Sequence, residues 1–289
     1  MKFILGLILT LSLTNVFACS EDGSTGFVPE NEMNIPVGLK TNGGLSEEQF
    51  NAVIDKIEAI YTPIVSEMGG KLKINRKWED GTVNANATRL GGWIVNMYGG
   101  LARHETITED GFALVLCHEL GHHLGGAPKV AGLLGLNRWA SNEGQADYYA
   151  TLKCLRRVFL NENNTKVLKT FKSIPAHLVK SCTAAWPNKA DKEICIRNGM
   201  AGMSVAGLFA ALRNKPEGSF ETPDPKVVAK TDDAHPAHQC RLDTYFQGSL
   251  CEMTLNEEVS QKNEIDGTCN TSTGHKVGTR PLCWFKPKN

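Results

Sequence analysis

The stretch Cys117-His118-Glu119-Leu120-Gly121-His122-His123 constrains this chain more than any other. Ahead of it Asp110 to Leu116 is largely apolar, and behind it Gly125-Gly126 supplies a stop, so the segment reads as a short helix with a defined end. Four residues make a little over one helical turn, which sets the imidazoles of His118 and His122 side by side on one face. Two neutral imidazoles at that spacing can hold one zinc ion, and Glu119, one step round, can reach a water on it. The plainer alternative is a surface helix that happens to carry histidines. A zinc site still requires a third protein ligand and a partner for at least one imidazole.

Ser141-Asn142-Glu143-Gly144-Gln145-Ala146-Asp147 supplies both. Ser141 or Asn142 can cap a helix here, with Glu143 and Asp147 four residues apart on one face. A Glu143 carboxylate from this second helix completes a two-histidine, one-carboxylate site and leaves a fourth position for water. Asp147, one turn on, can accept the spare N–H of a zinc-bound histidine, His118 being the first choice. Acidic residues in a first helical turn are also ordinary partners of the helix dipole. The His-Glu-x-x-His upstream favours the ligand reading.

The chain has 289 residues with 31 basic and 31 acidic side chains, enough length for a buried core. A formal charge of zero gives no electrostatic reason to expect nucleic acid or an anionic membrane surface as partner. Lys2 precedes an apolar run from Phe3 to Leu13, and Val16-Phe17-Ala18 offers a cleavage site, so 1–18 reads as an export signal. A second apolar run, Gly199 to Leu212, is short for a membrane span and reads as a buried helix.

Nine cysteines suit an exported protein, where they read as disulfides first. Cys19 directly follows Ala18, where a bacterial lipoprotein carries its acylated cysteine, and leaving it out makes an even eight. Two locations follow: the cell envelope, with a lipid anchor at Cys19, or simple secretion.

Residues 19–45, rich in Gly, Asn, Glu and Pro, read as a flexible lead to a domain spanning 46–250. Ser46-Glu47-Glu48-Gln49 resembles a capping box, and Phe50, Val53, Ile54, Ile57, Ile60 and Tyr61 follow at helical spacing. Lys71 to Trp78 reads as a strand. So does Trp93 to Tyr98, whose pattern leaves open whether it is interior or an edge able to pair with a peptide. Val130 to Asn137 reads as a loop, Lys166 to Val179 and Asp191 to Leu212 as helices. His235-Pro236 opens another helix, with the proline first. The polar tail from 251 reads as a cysteine-containing, disulfide-stapled extension. Cys182 and Cys195 could close a small loop; other pairings stay open.

Four separated pieces together resemble one family. They are Asn84-Ala85-x-Ala87 leading to Gly91-Gly92-x-Ile94 and Gly100-Leu101; His118-Glu119-Leu120-Gly121-His122; Glu143-x-x-Ala146-Asp147; and His235-Pro236 with Arg241 five residues beyond the proline. In that order they resemble the zinc metallopeptidases of the CAAX-prenyl-protease, HtpX and BepA type, a gluzincin family, over about Asn84 to Tyr245. The resemblance implies an α+β, mainly helical zincin-like core with a small sheet and an active-site helix. It implies zinc on His118, His122 and Glu143, Glu119 as general base, an edge strand through Trp93 to Tyr98, and Arg241 and His235 beside the cleft. Many members have several membrane spans, which this chain lacks; Ala234 stands where Ser or Thr often precedes His-Pro, and the cysteine-rich tail is unlike the family.

Hydrolysis of a peptide bond by these parts needs a donor for the developing oxyanion. Arg241 and His235 come first on the family positions, with His123 and Tyr245 behind. Structural alternatives are an ion pair for Arg241 and a helix cap for His235. Cys117 could in principle add a fourth zinc ligand, but neighbours on a helix point about a hundred degrees apart. The leading expectation is therefore a secreted or envelope-anchored zinc endopeptidase acting on peptides or proteins. A silent zinc-containing binding or assembly factor, and another zinc hydrolase such as a peptidoglycan amidase, are the rivals.

Overall fold

Two helices that touch at a glycine organise the structure. The computed structural model describes residues 26–39, 43–89, 91–132 and 137–288. The expected export signal, 1–18, and Cys19 lie outside them. Helix α1 (Glu47–Glu67) opens on the expected capping box: the Ser46 hydroxyl accepts from Gln49 N–H at 3.2 Å, and the Gln49 side chain accepts from Ser46 N–H at 2.9 Å. Its buried face carries Phe50, Val53, Ile54, Ile57, Tyr61 and Val65.

Strands β1 (Leu72–Lys77), β2 (Ala85–Thr88) and β3 (Trp93–Tyr98) form a sheet in the order β1-β3-β2. β3 is parallel to β1 and antiparallel to β2. The edge strand implied by the family resemblance is therefore corrected. β2 folds straight back on β3 and β1 takes the other side, which leaves β3 interior and β2 on the outside. A five-residue α2 (Gly99–Arg103) follows, then α3 (Glu109–Leu124), which carries the histidines and whose cap is Thr108, accepting from Gly111 N–H at 3.1 Å.

The stretch expected as a loop contributes an antiparallel pair, β4 (Lys129–Ala131) and β5 (Asn137–Ser141). Helix α4 (Glu143–Tyr149), capped by Asn142, runs through a π turn at Ala150–Cys154 into α5 (Leu155–Phe159). The Thr151 carbonyl in that wide turn accepts from Asn198 at 3.1 Å, restoring a bond that the helix ladder loses. Between 164 and 185 the single expected helix is two, α6 (Asn164–Leu168) and α7 (Ala176–Ala185), split ahead of Pro175. Helix α8 (Lys189–Arg213) is the apolar run. Among the described residues it alone is long and apolar enough to cross a membrane, yet it is mostly buried inside the protein. Helix α9 (His238–Leu250) starts two residues beyond Pro236, which lies outside it.

Four disulfides join the described cysteines: Cys117–Cys154, Cys182–Cys195, Cys240–Cys283 and Cys251–Cys269. Cys117 is thereby engaged away from any metal. The boundary regions also depart from expectation. Phe27 and Val28, within the supposed flexible lead, are fully buried, because Phe27 N–H bonds to Ala85 of β2, Val28 bonds to the Asn84 side chain, and the Phe27 ring packs in the core. The tail is no separate extension either. Trp284 is fully buried against α4, held by the neighbouring Cys283 bridge and by its indole N–H to Thr244 at 2.9 Å.

Candidate metal centre

Gly121 sits where α3 crosses α4. A Cβ there would lie 2.8 Å from the Ala146 carbonyl oxygen, so only glycine lets the helices approach this closely. The approach carries Glu143 across to the two histidines. One ligand atom from each of His118, His122 and Glu143 falls within 4.8 Å of the others, and all three side chains are buried. Nε2 of both histidines and both Glu143 oxygens lack a hydrogen-bond partner. Buried polar atoms are rarely left so.

The opposite ring nitrogens are occupied, which fixes the tautomers. His118 donates through Nδ1–H to Asp147 Oδ1 at 2.7 Å, and His122 through Nδ1–H to the Ser141 carbonyl at 2.9 Å. It is therefore Nε2 of each ring that faces Glu143, and that nitrogen offers a lone pair to a metal once its ring is neutral. The donor set fits a dication with room for a further ligand.

Asp147 is a hub. Its Oδ1 also accepts from Arg241 Nη2 at 2.8 Å and Tyr245 Oη at 2.7 Å, while Oδ2 accepts from Arg241 Nε at 2.8 Å. Burial works against its charge, but Arg241 and His118 hold its pKa below the usual range. Burial likewise opposes charge on His118, yet Asp147 prevails and its pKa rises to about 9. His122, whose Nδ1 meets a carbonyl, is lowered by burial to about 4 even with Glu143 beside it. The Glu143 carboxylate sits well below its ordinary value despite burial, because His235, His122 and His118 surround it.

Glu119 is fully buried with both oxygens unpartnered, and burial lifts its pKa to about 8. His235 brings Nε2 to 3.3 Å from Glu143 Oε2 and donates to the Gly26 carbonyl at 2.8 Å. Arg241, besides Asp147, donates through Nη1 to the Phe27 carbonyl at 2.6 Å. The expected residues thus converge, from elements as far apart as α3, α4 and α9.

Two earlier oxyanion candidates go elsewhere. Tyr245 commits its hydroxyl to Asp147. His123 stacks between Trp93 and Trp139, at 5.3 and 4.7 Å between ring centres, and donates to the Ile94 carbonyl at 3.2 Å. Sequence reasoning gave no role to Asn84 as a side chain. Its amide binds Val28 at both ends, accepting from N–H and donating to C=O, each at 3.1 Å. Its place in Asn84-Ala85-x-Ala87 was the available signal.

No protein-family model, curated protein or solved structure matches this chain.

Proposed function

We propose that the protein is a zinc-dependent endopeptidase of gluzincin type, working in the cell envelope or outside the cell. The observation that carries this reading is an unpartnered, buried Glu119 carboxyl beside three convergent unpartnered ligands. A purely structural metal site has four protein ligands and no use for a base alongside. The four disulfides are compatible with an extracellular location.

His118, His122 and Glu143 would hold the ion, which when bound supplies Lewis-acid polarisation of a water and of the peptide carbonyl. Glu119 takes the proton from the attacking water and returns it to the departing amine nitrogen. His235 is placed to donate to the carbonyl oxygen as negative charge builds there. Arg241 donates to the Phe27 carbonyl and, with Tyr245, fixes Asp147 and so the ring of His118.

The deep burial of every ligand favours a second reading, the silent zinc-containing binding or assembly factor. The two are separated by zinc content and casein cleavage of wild type and Glu119→Gln. For a peptidase both hold one zinc per chain, and only wild type cleaves, by a margin of at least about a thousandfold. Equal inertness on casein and on unfolded proteins, with zinc bound to both, would favour the silent reading.

A further inference from the structure

The burial of the centre has a visible cause in the chain itself. Residues 26–35 run antiparallel to 81–85, from the Phe27 N–H bonded to the Ala85 carbonyl at 2.8 Å to the bridge between Asn34 and Thr82. Phe27 bonds to Ala85, the first residue of the outer strand β2, and Val28 to the Asn84 side chain just ahead of it, at the side where an extended peptide would add to the sheet. Five backbone groups of the tripeptide 26–28 are held. Gly26 C=O accepts from His235, Phe27 N–H donates to Ala85, Phe27 C=O accepts from Arg241, and Val28 N–H and C=O meet the two ends of the Asn84 amide.

These contacts are graded along the segment. The Gly26 carbonyl shares His235 Nε2 with Glu143, the Phe27 carbonyl reaches the arginine behind Asp147, and Val28 reaches Asn84. The Phe27 ring is fully buried, edge-on to His118 at 4.9 Å, stacked on Phe209 at 5.5 Å and under the Arg241 guanidinium at 4.4 Å. Gly26 is fixed as glycine. Its φ is +119°, and a Cβ would lie 2.5 Å from the Ala85 carbonyl oxygen and 2.6 Å from Asn84 Oδ1.

We propose that Gly26-Phe27-Val28 occupies the cleft as the protein's own peptide, and that the Gly26–Phe27 bond is the first bond it hydrolyses. This rests on the endopeptidase reading and adds a substrate class to it: an extended peptide with glycine before the cut and a large apolar residue, best an aromatic one, after it. The water oxygen adds to the Gly26 carbonyl carbon and the bond to the Phe27 nitrogen breaks. One water proton passes through Glu119 to that nitrogen, giving a Phe27 amine, and the second is released to that amine or to solvent as the new Gly26 carboxyl ionises.

The N-terminus of purified protein, read by intact mass, tests this alongside casein cleavage. Wild type should begin at Phe27, whereas Glu119→Gln should keep residues ahead of it. Gly26→Val, which leaves the metal ligands and Glu119 untouched, should cleave casein and retain the 26–27 bond. In casein digests the cuts should concentrate ahead of Phe and other large apolar residues. Independently of turnover, the amides of Phe27 and Val28 in metal-free Glu119→Gln should exchange slowly with solvent, and that of Val28 should lose at least tenfold in protection in a further Asn84→Ala change. A wild type that cuts casein with its Gly26–Phe27 bond intact would overturn the proposal and leave the peptidase reading standing. So would the same cut in Glu119→Gln, or fast exchange at both amides. A wild type that cuts neither itself nor casein would sink both.

Discussion

The two imidazoles of the centre are chemically unequal, and their outer partners make them so. His118 faces a carboxylate and is held protonated up to about 9, while His122 faces a carbonyl and stays neutral down to about 4. A metal ligand must be neutral, so an ion entering the metal-free protein at pH 7 displaces the His118 proton. Calorimetry in buffers of different protonation enthalpy should therefore show at least one proton released per zinc. Affinity should rise with pH until about 9 and flatten above it. In Asp147→Asn the carboxylate is gone, the His118 release at pH 7 should vanish, and binding should weaken roughly ten- to a hundredfold. Glu143→Ala should abolish stoichiometric binding altogether; full occupancy would mean that the third ligand is another residue. These residues were legible because their side chains carry the chemistry at helical spacing. Ser141, Gly26 and Ala85 contribute main-chain carbonyls, which any residue type could supply, so nothing in their identity announced the role.

Helix α4 is positioned from both sides by glycines. Gly121 of α3 admits Ala146 on one side, and on the other a Cβ at Gly144 would lie 2.1 Å from the Trp284 ring. The Cys117–Cys154 bridge ties the same α3 to the π turn that continues α4. The indole of Trp284 is thus a buttress behind the ligand-bearing helix. Trp284→Ala should cost about 3–5 kcal/mol as a cavity in a packed core. Urea unfolding of the metal-free variant measures that loss, and zinc affinity measured below the transition should fall as well. Unchanged stability would mean that the indole is dispensable to the packing. Helices α1, α3 and α8 were readable from periodicity and caps because each buries one continuous face. Strand order was not. Alternation tells which residues form a strand, but β3 is interior only because β1, twenty-one residues earlier in the register, pairs with it in parallel. No local pattern records that.

Taken as a whole, segments far apart in sequence enclose the candidate metal centre. Residues 26–28 bond to His235 and Arg241 beside it, and the tail locks α4 and α9 from behind. The polar composition from 251 onward read as an appendage because its part in the core rests on a few scattered residues: Cys251, Val259, Cys269, Cys283, Trp284 and Phe285, all buried. Arg280 is also buried and donates to Gln145 at 2.6 Å and to the Ala127 carbonyl at 3.3 Å, bonds that tie α4 to the residues entering β4. The even number of cysteines after Cys19 was legible, whereas the pairing depended on which helix ends meet. A chain ending at Leu250 would lose two of these bridges, Cys240–Cys283 and Cys251–Cys269, and the indole behind Gly144. In the chain-entropy account, loops of this size are worth roughly 3–4 kcal/mol each, and the lost core burial adds to that. Together they are comparable to the whole stability of an ordinary domain, about 5–15 kcal/mol. The truncated protein should therefore fail to unfold cooperatively by circular dichroism and should not retain stoichiometric zinc. A truncated form that melts cooperatively and keeps its metal would restore the tail to the status of a detachable extension.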